Sequence, residues 1–458
     1  MDIIKTKGVR TIYKTKDVIL TGFALFAMLF GAGNLIFPPS VGYAVGNNWK
    51  LAALGFCITG IGFPLLGIIA SGFAGTKLDH FSDKVSPLFS KIFNTVLILA
   101  IGPCLAIPRT GATAFEIMVT PHIGSGNALW SKYIFLGVYF GFVLLFCLKE
   151  SSVIERIGKI LTPILLIVLA IIICKGLLSP MGDIAVLNTV NNFKYGFYNG
   201  YQTMDTLAAI IFASIILKSI NSKNRLSRKE QFTFLLKASA IAVCGLAIVY
   251  CGILYIGATA TGVLENHGTT QLLNAIVRQL LGTKGNVILG LCVAGACLTT
   301  AIGLTATVGD YFKNLLKVSY KKVVIVNVAV SFAFATFGVD SIVKVAAPVL
   351  TFLYPIAIVL IFLNFFKDYI NERAVFIGGV IGAGLVGVVE MLLGFMPDLS
   401  SKGYVIIPNI MGILGELYSK LPFEDYGLAW VVPSIVFIGI FKLGNKIRLS
   451  QTACRAER

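Results

Sequence analysis

Long apolar runs separated by short polar segments recur along the whole chain. Each run is about 20 residues long, which is the length that an α-helix needs to cross about 30 Å of hydrocarbon. The pattern therefore predicts an all-α polytopic membrane protein. About 12 transmembrane helices are expected, at residues 18–46, 51–73, 88–118, 132–148, 157–178, 195–218, 232–260, 285–309, 321–338, 341–366, 374–396 and 426–442.

The first predicted span is interrupted near its middle by Gly31, Gly33 and Asn34, and Pro38 and Pro39 follow soon after. An unpaired backbone group in hydrocarbon costs several kcal/mol, so a broken helix is tolerated only where protein or a watery cavity receives it. An interruption at membrane depth therefore suggests a binding site made from freed amides and carbonyls. The alternative is a helix-packing face, since small residues also let membrane helices approach closely.

The sixth predicted span is interrupted in a similar way. Its outer part is polar and contains Gly196, Asn199 and Gly200, and Asp205 lies near its middle, before a clean apolar helix. A carboxylate at that depth is expected to meet a cation, which could be an ion, a substrate ammonium or a partner side chain. The alternative is a buried acid whose hydrogen bonds come from Thr and Tyr hydroxyls.

The two interrupted spans lie five helices apart. Because five is odd, the second set of five spans enters the membrane from the opposite side, which predicts a 5+5 inverted repeat with broken helices 1 and 6. Interrupted segments in matching positions of two halves are the best sequence indication of a transporter's binding site. The predicted units are a tail at 1–17, repeats at 18–178 and 195–366, helices 11 and 12 at 374–442 and a tail at 443–458.

Composition supports a membrane protein, since 57% of residues are hydrophobic and 13% are charged, against about 25% charged in soluble domains. The net charge of +17 could indicate nucleic acid, but its distribution argues otherwise. Lys and Arg concentrate at 5–16, 218–237, 313–322 and 442–458, as the positive-inside rule requires. We expect a multi-pass protein of the cell membrane with both termini cytoplasmic, anionic lipid at its basic face and no nucleic-acid partner.

Four further polar residues lie inside predicted spans. Arg109 and Glu116 lie two turns apart in the third span, where ionisable side chains are costly and therefore candidates for function. They either face one cavity and gate it, or form structural pairs with other helices. Thr299 and Thr300 lie in the middle of the eighth span. Their hydroxyls suit a hard cation such as Na⁺, or they simply bond back to the preceding turn.

Four segments resemble one transporter family. The runs at 31–39 (GAGNLIFPP), 102–116 (GPCLAIPRTGATAFE), 199–208 (NGYQTMDTLA) and 296–304 (ACLTTAIGL) are similar to those of the branched-chain amino acid:cation symporter family, over essentially the whole chain. The resemblance implies the LeuT-like fold of the APC superfamily. It also implies uptake of leucine, isoleucine and valine driven by Na⁺ or H⁺.

The two interruptions suggest how a zwitterionic substrate is held. Its carboxylate is expected at the positive amide end of the second half of span 1. Its ammonium is expected at the carbonyl ends of the span 6 interruption and at Asp205. The predicted substrate-binding residues are Gly31, Ala32, Gly33, Asn34, Gly200, Tyr201, Gln202, Thr203 and Asp205.

The resemblance to LeuT-type proteins also implies a Na⁺ site between the first and eighth helices. Its ligands would be the carbonyls of Ala27, Phe30 and Ala296 and the hydroxyls of Thr299 and Thr300. Na⁺ is therefore the expected coupling ion. A proton is the alternative, because Asp205 could carry one.

Other function classes find little support in the sequence. A channel predicts a polar stripe or charged ring along a pore, whereas the chain has isolated interruptions. An enzyme needs a convergent catalytic set, but His80, His122 and His267 fall in loops and no HExxH or GxSxG motif occurs. A transporter of another neutral amino acid or a nucleobase, on the same fold, stays open.

Overall fold

A computed structural model describes residues 14–456, apart from 76–77, 124–127, 149–152, 188, 190, 214–227, 266–267, 368, 371 and 401–406. The predicted tail before residue 14 and the inner end of the sixth span, 214–218, lie outside the described residues. Within that part of the chain, every regular element is a helix and no β-strand occurs. The all-α prediction is confirmed.

The helices are numbered in chain order. They are α1 (Thr15–Leu29), α2 (Ala32–Val45), α3 (Trp49–Cys57), α4 (Phe63–Ala74), α5 (Pro87–Leu99), α6 (Ala106–Met118), α7 (Ala128–Leu148), α8 (Val153–Leu178), α9 (Asn192–Tyr201), α10 (205–213), α11 (Arg228–Thr259), α12 (Thr269–Leu316), α13 (Tyr320–Ala335), α14 (Val339–Phe365), α15 (Arg373–Ser400), α16 (Ile407–Ser419) and α17 (Val431–Ala456). Short π-helical turns join α3 to α4 and α5 to α6.

Seven helical stretches among the described residues are long and apolar enough to cross a membrane. They are Ala32–Ala74, Pro87–His122, Leu129–Leu148, Glu230–Thr259, Thr269–Leu316, Val339–Phe365 and Arg373–Phe395. The chain is therefore a multi-pass membrane protein. The count of 12 spans stays a prediction.

The first interruption separates α1 from α2. Phe30 (φ −85°, ψ 101°) and Gly31 (φ −123°, ψ −165°) have extended backbone, and the next residue already begins α2. The interruption is thus shorter than the sequence indicated. Pro38 and Pro39 do not end the helix, because α2 continues through both of them to Val45.

The second interruption separates α9 from α10. It consists of a turn over residues 202–204, in which Met204 has a left-handed backbone (φ 63°). Such a conformation is unusual for a bulky residue and persists where the surroundings impose it. Asp205 is then the first residue of α10.

Close helix contacts fix both broken helices in place. A Cβ added to Gly42 of α2 would lie 1.8 Å from the Leu254 carbonyl oxygen of α11, and one added to Gly196 of α9 would lie 1.9 Å from the Ala52 carbonyl oxygen of α3. Only glycine allows the backbones to approach so closely. In addition, α6 packs along α12, and α6, α11 and α12 all supply polar groups beside the interruptions.

Candidate functional site

The two interruptions face a small cavity of about 40 Å³, here called the central cavity. Its lining includes six of the predicted substrate-binding residues: Gly31, Ala32, Gly33, Asn34, Thr203 and Asp205. Apolar side chains cover other parts of the wall, namely Met28, Leu29, Ile101, Ala208, Phe212 and Leu304. The structure therefore brings together segments that are about 170 residues apart in the chain into one partly polar, partly apolar chamber.

Asn34 connects the two interruptions. Its side-chain oxygen accepts a hydrogen bond from the Gly31 amide at 2.8 Å, which satisfies the first of the unpaired amides at the start of α2. Its side-chain nitrogen donates to the Asp205 carboxylate at 2.7 Å and also to the Tyr250 hydroxyl. A single buried amide thus ties the start of α2 to the start of α10.

The Asp205 carboxylate is 3% exposed. Its Oδ2 atom accepts from Asn34 and, at 3.0 Å, from the hydroxyl of Tyr250 on α11. Two neutral donors therefore hold the carboxylate in place, as buried polar groups require. They add no positive charge themselves. The Arg109 guanidinium lines the same cavity and attracts Asp205 electrostatically, and a substrate ammonium could bind the carboxylate directly.

The carbonyl end of α9 already accepts hydrogen bonds from the protein. The Gly200 carbonyl accepts from the amide and hydroxyl of Thr203 at 3.2 and 2.8 Å. The Tyr201 carbonyl accepts from the Met204 amide at 3.0 Å. The Gln202 carbonyl accepts from Nη1 of Arg109 at 2.6 Å. At this interruption, Asp205 is a more available acceptor for a substrate cation than the backbone.

Arg109 of α6 reaches into the space between the two interruptions. It is 3% exposed and lines the central cavity. Its Cζ atom lies 5.3 Å from the centre of the Phe37 ring, and its Nη2 atom lies 2.9 Å from the place where a Cβ on Gly33 would be. Its Nε atom has no hydrogen-bond partner.

Three of the predicted substrate-binding residues, Gly200, Tyr201 and Gln202, lie outside the lining of the central cavity. Gly200 packs against Thr59 of the π-helical turn, whose Oγ1 would lie 1.8 Å from an added Cβ. Tyr201 is stacked on Tyr354 of α14, with ring centres 4.0 Å apart. These residues support the end of α9. Gln202 also stays out of the lining and takes part through its carbonyl bond to Arg109.

The predicted Na⁺ ligands lie at the end of α1, on Phe30 directly after it, and on α12. The hydroxyls of Thr299 and Thr300 both donate to the Ala296 carbonyl, at 2.9 and 3.0 Å, as hydroxyls within a helix commonly do. Thr300 lines the central cavity, and its methyl group would lie 3.8 Å from a Cβ on Gly31. Ala27 is in the last turn of α1, and Phe30 is the first residue after it.

Sequence reasoning missed one polar member of the site and left the role of another open between gating and structural pairing. Tyr250 lies in an apolar run of α11 and carried no signal of its own. Arg109 did carry a signal, because it is a charged residue inside a predicted span.

Glu116 does not line the cavity that contains Arg109. The Glu116 carboxylate accepts from the Thr270 hydroxyl (2.5 Å) and the Val339 amide (2.9 Å). Glu116 thereby joins the starts of α12 and α14.

Comparisons of the sequence identify its relatives. The family model for "Branched-chain amino acid transport protein" matches residues 14–448. The branched-chain amino acid permease BraB of Bacillus subtilis is 39% identical over 450 residues, covering 94% of this chain and 98% of BraB. The branched-chain amino acid transport system 2 carrier protein of Pseudomonas aeruginosa is 35% identical over 424 residues, covering 91% of this chain and 93% of the carrier.

Solved structures with a similar fold are also transporters. MhsT in complex with L-phenylalanine matches with a TM-score of 0.54 at 18% identity, covering 82% of this chain and 97% of MhsT. Mhp1, a nucleobase-cation-symport-1 family transporter in a closed conformation, matches with a TM-score of 0.57 at 13% identity, covering 92% of each chain. At these identities the likeness shows the fold, which is LeuT-like.

Proposed function

The chain belongs to the family of branched-chain amino acid transport proteins, and we propose that it imports leucine, isoleucine and valine across the cell membrane by symport with Na⁺. The family assignment confirms the resemblance noted in the sequence. It also confirms that the chain is a transport protein and not an enzyme. The names of BraB and of the Pseudomonas carrier support the choice of substrate.

One observation carries the proposal: two helix interruptions and a buried carboxylate face the same cavity. The amides of Ala32, Gly33 and Asn34 are among the first four of α2, which have no partner within the helix. They form a positive helix end that suits a carboxylate. Asp205 offers the opposite charge to an ammonium group. An amino acid zwitterion matches this pair of charges.

The apolar wall of the central cavity supports an aliphatic substrate side chain. Ile101, Phe212 and Leu304 are contributed by three different helical segments, and none of them offers a hydrogen bond to a polar side chain. Leucine, isoleucine and valine gain free energy from burial there, at about 25 cal/mol for each Å² of apolar surface. A substrate with a polar side chain would lose its hydration without compensation.

The placement of the interruptions supports a 5+5 inverted repeat within 12 spans. The interruptions lie between α1 and α2 and between α9 and α10, in the first and sixth predicted spans. In transporters of this kind, alternating access moves one bundle against the other around a fixed site. The two termini then lie in the cytoplasm, with the basic loops facing anionic lipid.

For Na⁺ as the co-transported ion, the proposed ligands are the carbonyls of Ala27, Phe30 and Ala296 with the hydroxyls of Thr299 and Thr300. Phe30 has extended backbone and so lies outside the α1 hydrogen-bonding ladder at its carbonyl side. Thr300 lies beside the first interruption. Oxygen ligands of this type suit a hard cation. Ion binding would favour one arrangement of the broken helix and thereby couple the gradient to uptake.

Uptake of labelled leucine into proteoliposomes tests the proposal. An imposed Na⁺ gradient should drive accumulation, and an imposed pH gradient alone should not. Thr299→Ala should raise the Na⁺ concentration for half-maximal uptake by about tenfold or more, since it removes an oxygen ligand of a charged group. Thr307→Ala is the matched control, because Thr307 makes the same hydroxyl bond to the Gly303 carbonyl (2.9 Å) elsewhere on α12.

The outcomes separate the alternatives. Unchanged Na⁺ activation in Thr299→Ala would exclude the proposed ion site. Uptake driven by the pH gradient alone would make H⁺ the coupling ion, with Asp205 as its carrier. Competition by other neutral amino acids or nucleobases, but not by valine or isoleucine, would replace the proposed substrate. A sustained conductance without a coupled solute would indicate a channel.

A further inference from the structure

Arg109 is buried beside the two interruptions without a full set of hydrogen bonds. The guanidinium has five N–H donors, yet Nε has no partner and Nη1 is bonded to a neutral carbonyl, that of Gln202. The side chain is 3% exposed and lines the central cavity. A cation buried this deeply is costly unless an anion pairs with it. Asp205 lines the same cavity and attracts the guanidinium electrostatically. Donors of the guanidinium such as Nε are nevertheless left without a hydrogen bond, and an anion that arrives with the substrate could accept from them.

We propose that Arg109 is a specificity-determining residue that binds the α-carboxylate of the transported amino acid. This inference rests on the proposed function and deepens it, because it makes a free carboxylate a requirement for binding. The sequence suggested only backbone amides for this role. The structure adds a side chain with a permanent positive charge.

The position of the guanidinium matches that role. The Nη1 bond to the Gln202 carbonyl (2.6 Å) fixes one edge of the planar group. Nη2 lies against Gly33, at 2.9 Å from the place of an added Cβ. The guanidinium is therefore close to the first amides of α2. A carboxylate has two oxygens. One can accept from the guanidinium and the other from an α2 amide, as charge-assisted bonds of this kind favour.

The same cavity also contains a group that suits the substrate ammonium. Asp205 also lines the central cavity, and Asn34 and Tyr250 hold its Oδ2 atom in place. A substrate with its carboxylate at Arg109 and its ammonium at Asp205 gives each buried charge a directly hydrogen-bonded partner. An amine without a carboxylate would leave the guanidinium without a hydrogen-bonded anion. The site should therefore reject leucinamide, in which a neutral amide replaces the carboxylate.

A different role for Arg109 predicts a different result. If Arg109 only neutralises the carbonyl end of α9 through Gln202, its replacement disturbs the second interruption. All ligands should then bind more weakly by a similar factor, whether or not they carry a carboxylate. The ratio of leucine to leucinamide affinity separates the two roles.

The test measures binding of labelled leucine to the purified full-length chain in Na⁺, with leucinamide as competitor. The wild type should prefer leucine by about 100-fold, the upper range for a hydrogen-bonded charge. Arg109→Gln should weaken leucine binding by about 10- to 100-fold and leave leucinamide binding within about threefold, so the preference collapses. Arg109→Lys keeps the charge but loses the planar set of guanidinium donors, and it should weaken leucine binding about tenfold.

Glu116→Gln is the matched control on the same helix, since Glu116 contacts Thr270 and Val339 away from the cavity. It should leave the preference for leucine unchanged. An equal loss of both ligands in Arg109→Gln, or an unchanged preference, would overturn the inference. If Arg109→Gln is not monodisperse, Arg109→Lys decides, and a preference equal to that of the wild type overturns it. Failure of the wild type to bind leucine would instead refute the proposed function.

Discussion

The two helix interruptions resemble each other in sequence but offer different chemistry. At the first, between α1 and α2, only the Gly31 amide is taken by a side chain, that of Asn34. The amides that follow it form the open positive end of α2. At the second, between α9 and α10, the carbonyls of Gly200, Tyr201 and Gln202 already accept bonds from the protein. The negative group that remains there is the side chain of Asp205.

This difference changes how a zwitterion is expected to bind. Sequence reasoning treats the two interruptions as a pair of helix ends, with amides for the carboxylate and with carbonyls together with Asp205 for the ammonium. The structure agrees with the expectation that the amides of α2 are open to a carboxylate. For the ammonium, the Asp205 carboxylate is available, whereas the carbonyls at the end of α9 already accept hydrogen bonds. An anion site built from the amides of α2 beside Arg109 therefore shares the cavity with a cation site built from one acid, and Asn34 is bonded to both interruptions.

The largest effect is expected from Asp205→Asn. The amide oxygen can still accept from Asn34 and Tyr250, so the fold should hold, but the negative charge is lost. We expect the KM for leucine uptake to rise by about 100-fold, as for the loss of a charged hydrogen bond at the top of the usual range. Normal leucine uptake in a variant expressed at the wild-type level would remove Asp205 from the site.

Asn34→Ala should have the next largest effect, because one side chain serves both interruptions. The change removes the bond to the Gly31 amide (2.8 Å) and the bond to Asp205 (2.7 Å). We expect leucine affinity to fall by about tenfold or more. Ser40→Ala is the control on the same helix, since its hydroxyl bonds only within α2, to the Ile36 carbonyl. Equal affinities in the two variants would contradict the bridging role.

Two glycines of the first interruption sharpen the comparison further. A methyl group on Gly33 would lie 2.9 Å from Arg109 Nη2 and 3.2 Å from the Gln202 carbonyl oxygen, whereas one on Gly31 would lie no closer than 3.6 Å to any atom. We expect Gly33→Ala to weaken leucine binding by about fivefold, the cost of displacing a side chain in a packed site. Gly31→Ala should stay within about twofold. If Gly31→Ala weakened leucine binding more than Gly33→Ala, the two interruptions would not meet at Gly33.

An effect smaller than that of Gly33→Ala is expected from Tyr250→Phe. The variant loses the hydroxyl that donates to Asp205 at 3.0 Å but keeps the ring that packs edge-on against Phe56. The hydroxyl also accepts from Asn34, but Asn34 still donates to Asp205 in the variant, so we expect the KM for leucine to rise by only about threefold. Initial rates of leucine uptake over a concentration series would measure it. A loss as large as that in Asp205→Asn would mean that Tyr250 itself contacts the substrate.

The positions of both interruptions could be predicted from the sequence, because the bilayer permits few backbone conformations. Hydrocarbon accepts no unpaired backbone, so glycine, asparagine and an acid inside an apolar run stand out. That argument located both interruptions and six residues that line the central cavity. The same argument could not predict the length of the interruptions. The sequence does not show that α2 begins at Ala32 and passes through Pro38 and Pro39.

The missed features depend on contacts between distant helices. Nothing near Arg109 in sequence indicates that it reaches the Gln202 carbonyl, 93 residues away. Tyr250 is one aromatic residue among many apolar ones, and only the packing of α11 against α2 brings it to Asp205. Gly200 and Tyr201 were expected at the site because they adjoin the interruption. They instead pack against Thr59 and Tyr354, since α9 turns those positions toward its neighbours.

The most direct test of the account is a structure of the full chain with leucine bound, determined in the presence of Na⁺. The account predicts leucine between the two interruptions, with its carboxylate at the amides of Ala32 to Asn34 and its ammonium within hydrogen-bond distance of Asp205. Leucine bound elsewhere, for example in the apolar cavity of about 450 Å³ lined by Phe193, Phe362 and Trp430, would contradict it. So would an ammonium held by the α9 carbonyls with Asp205 turned away.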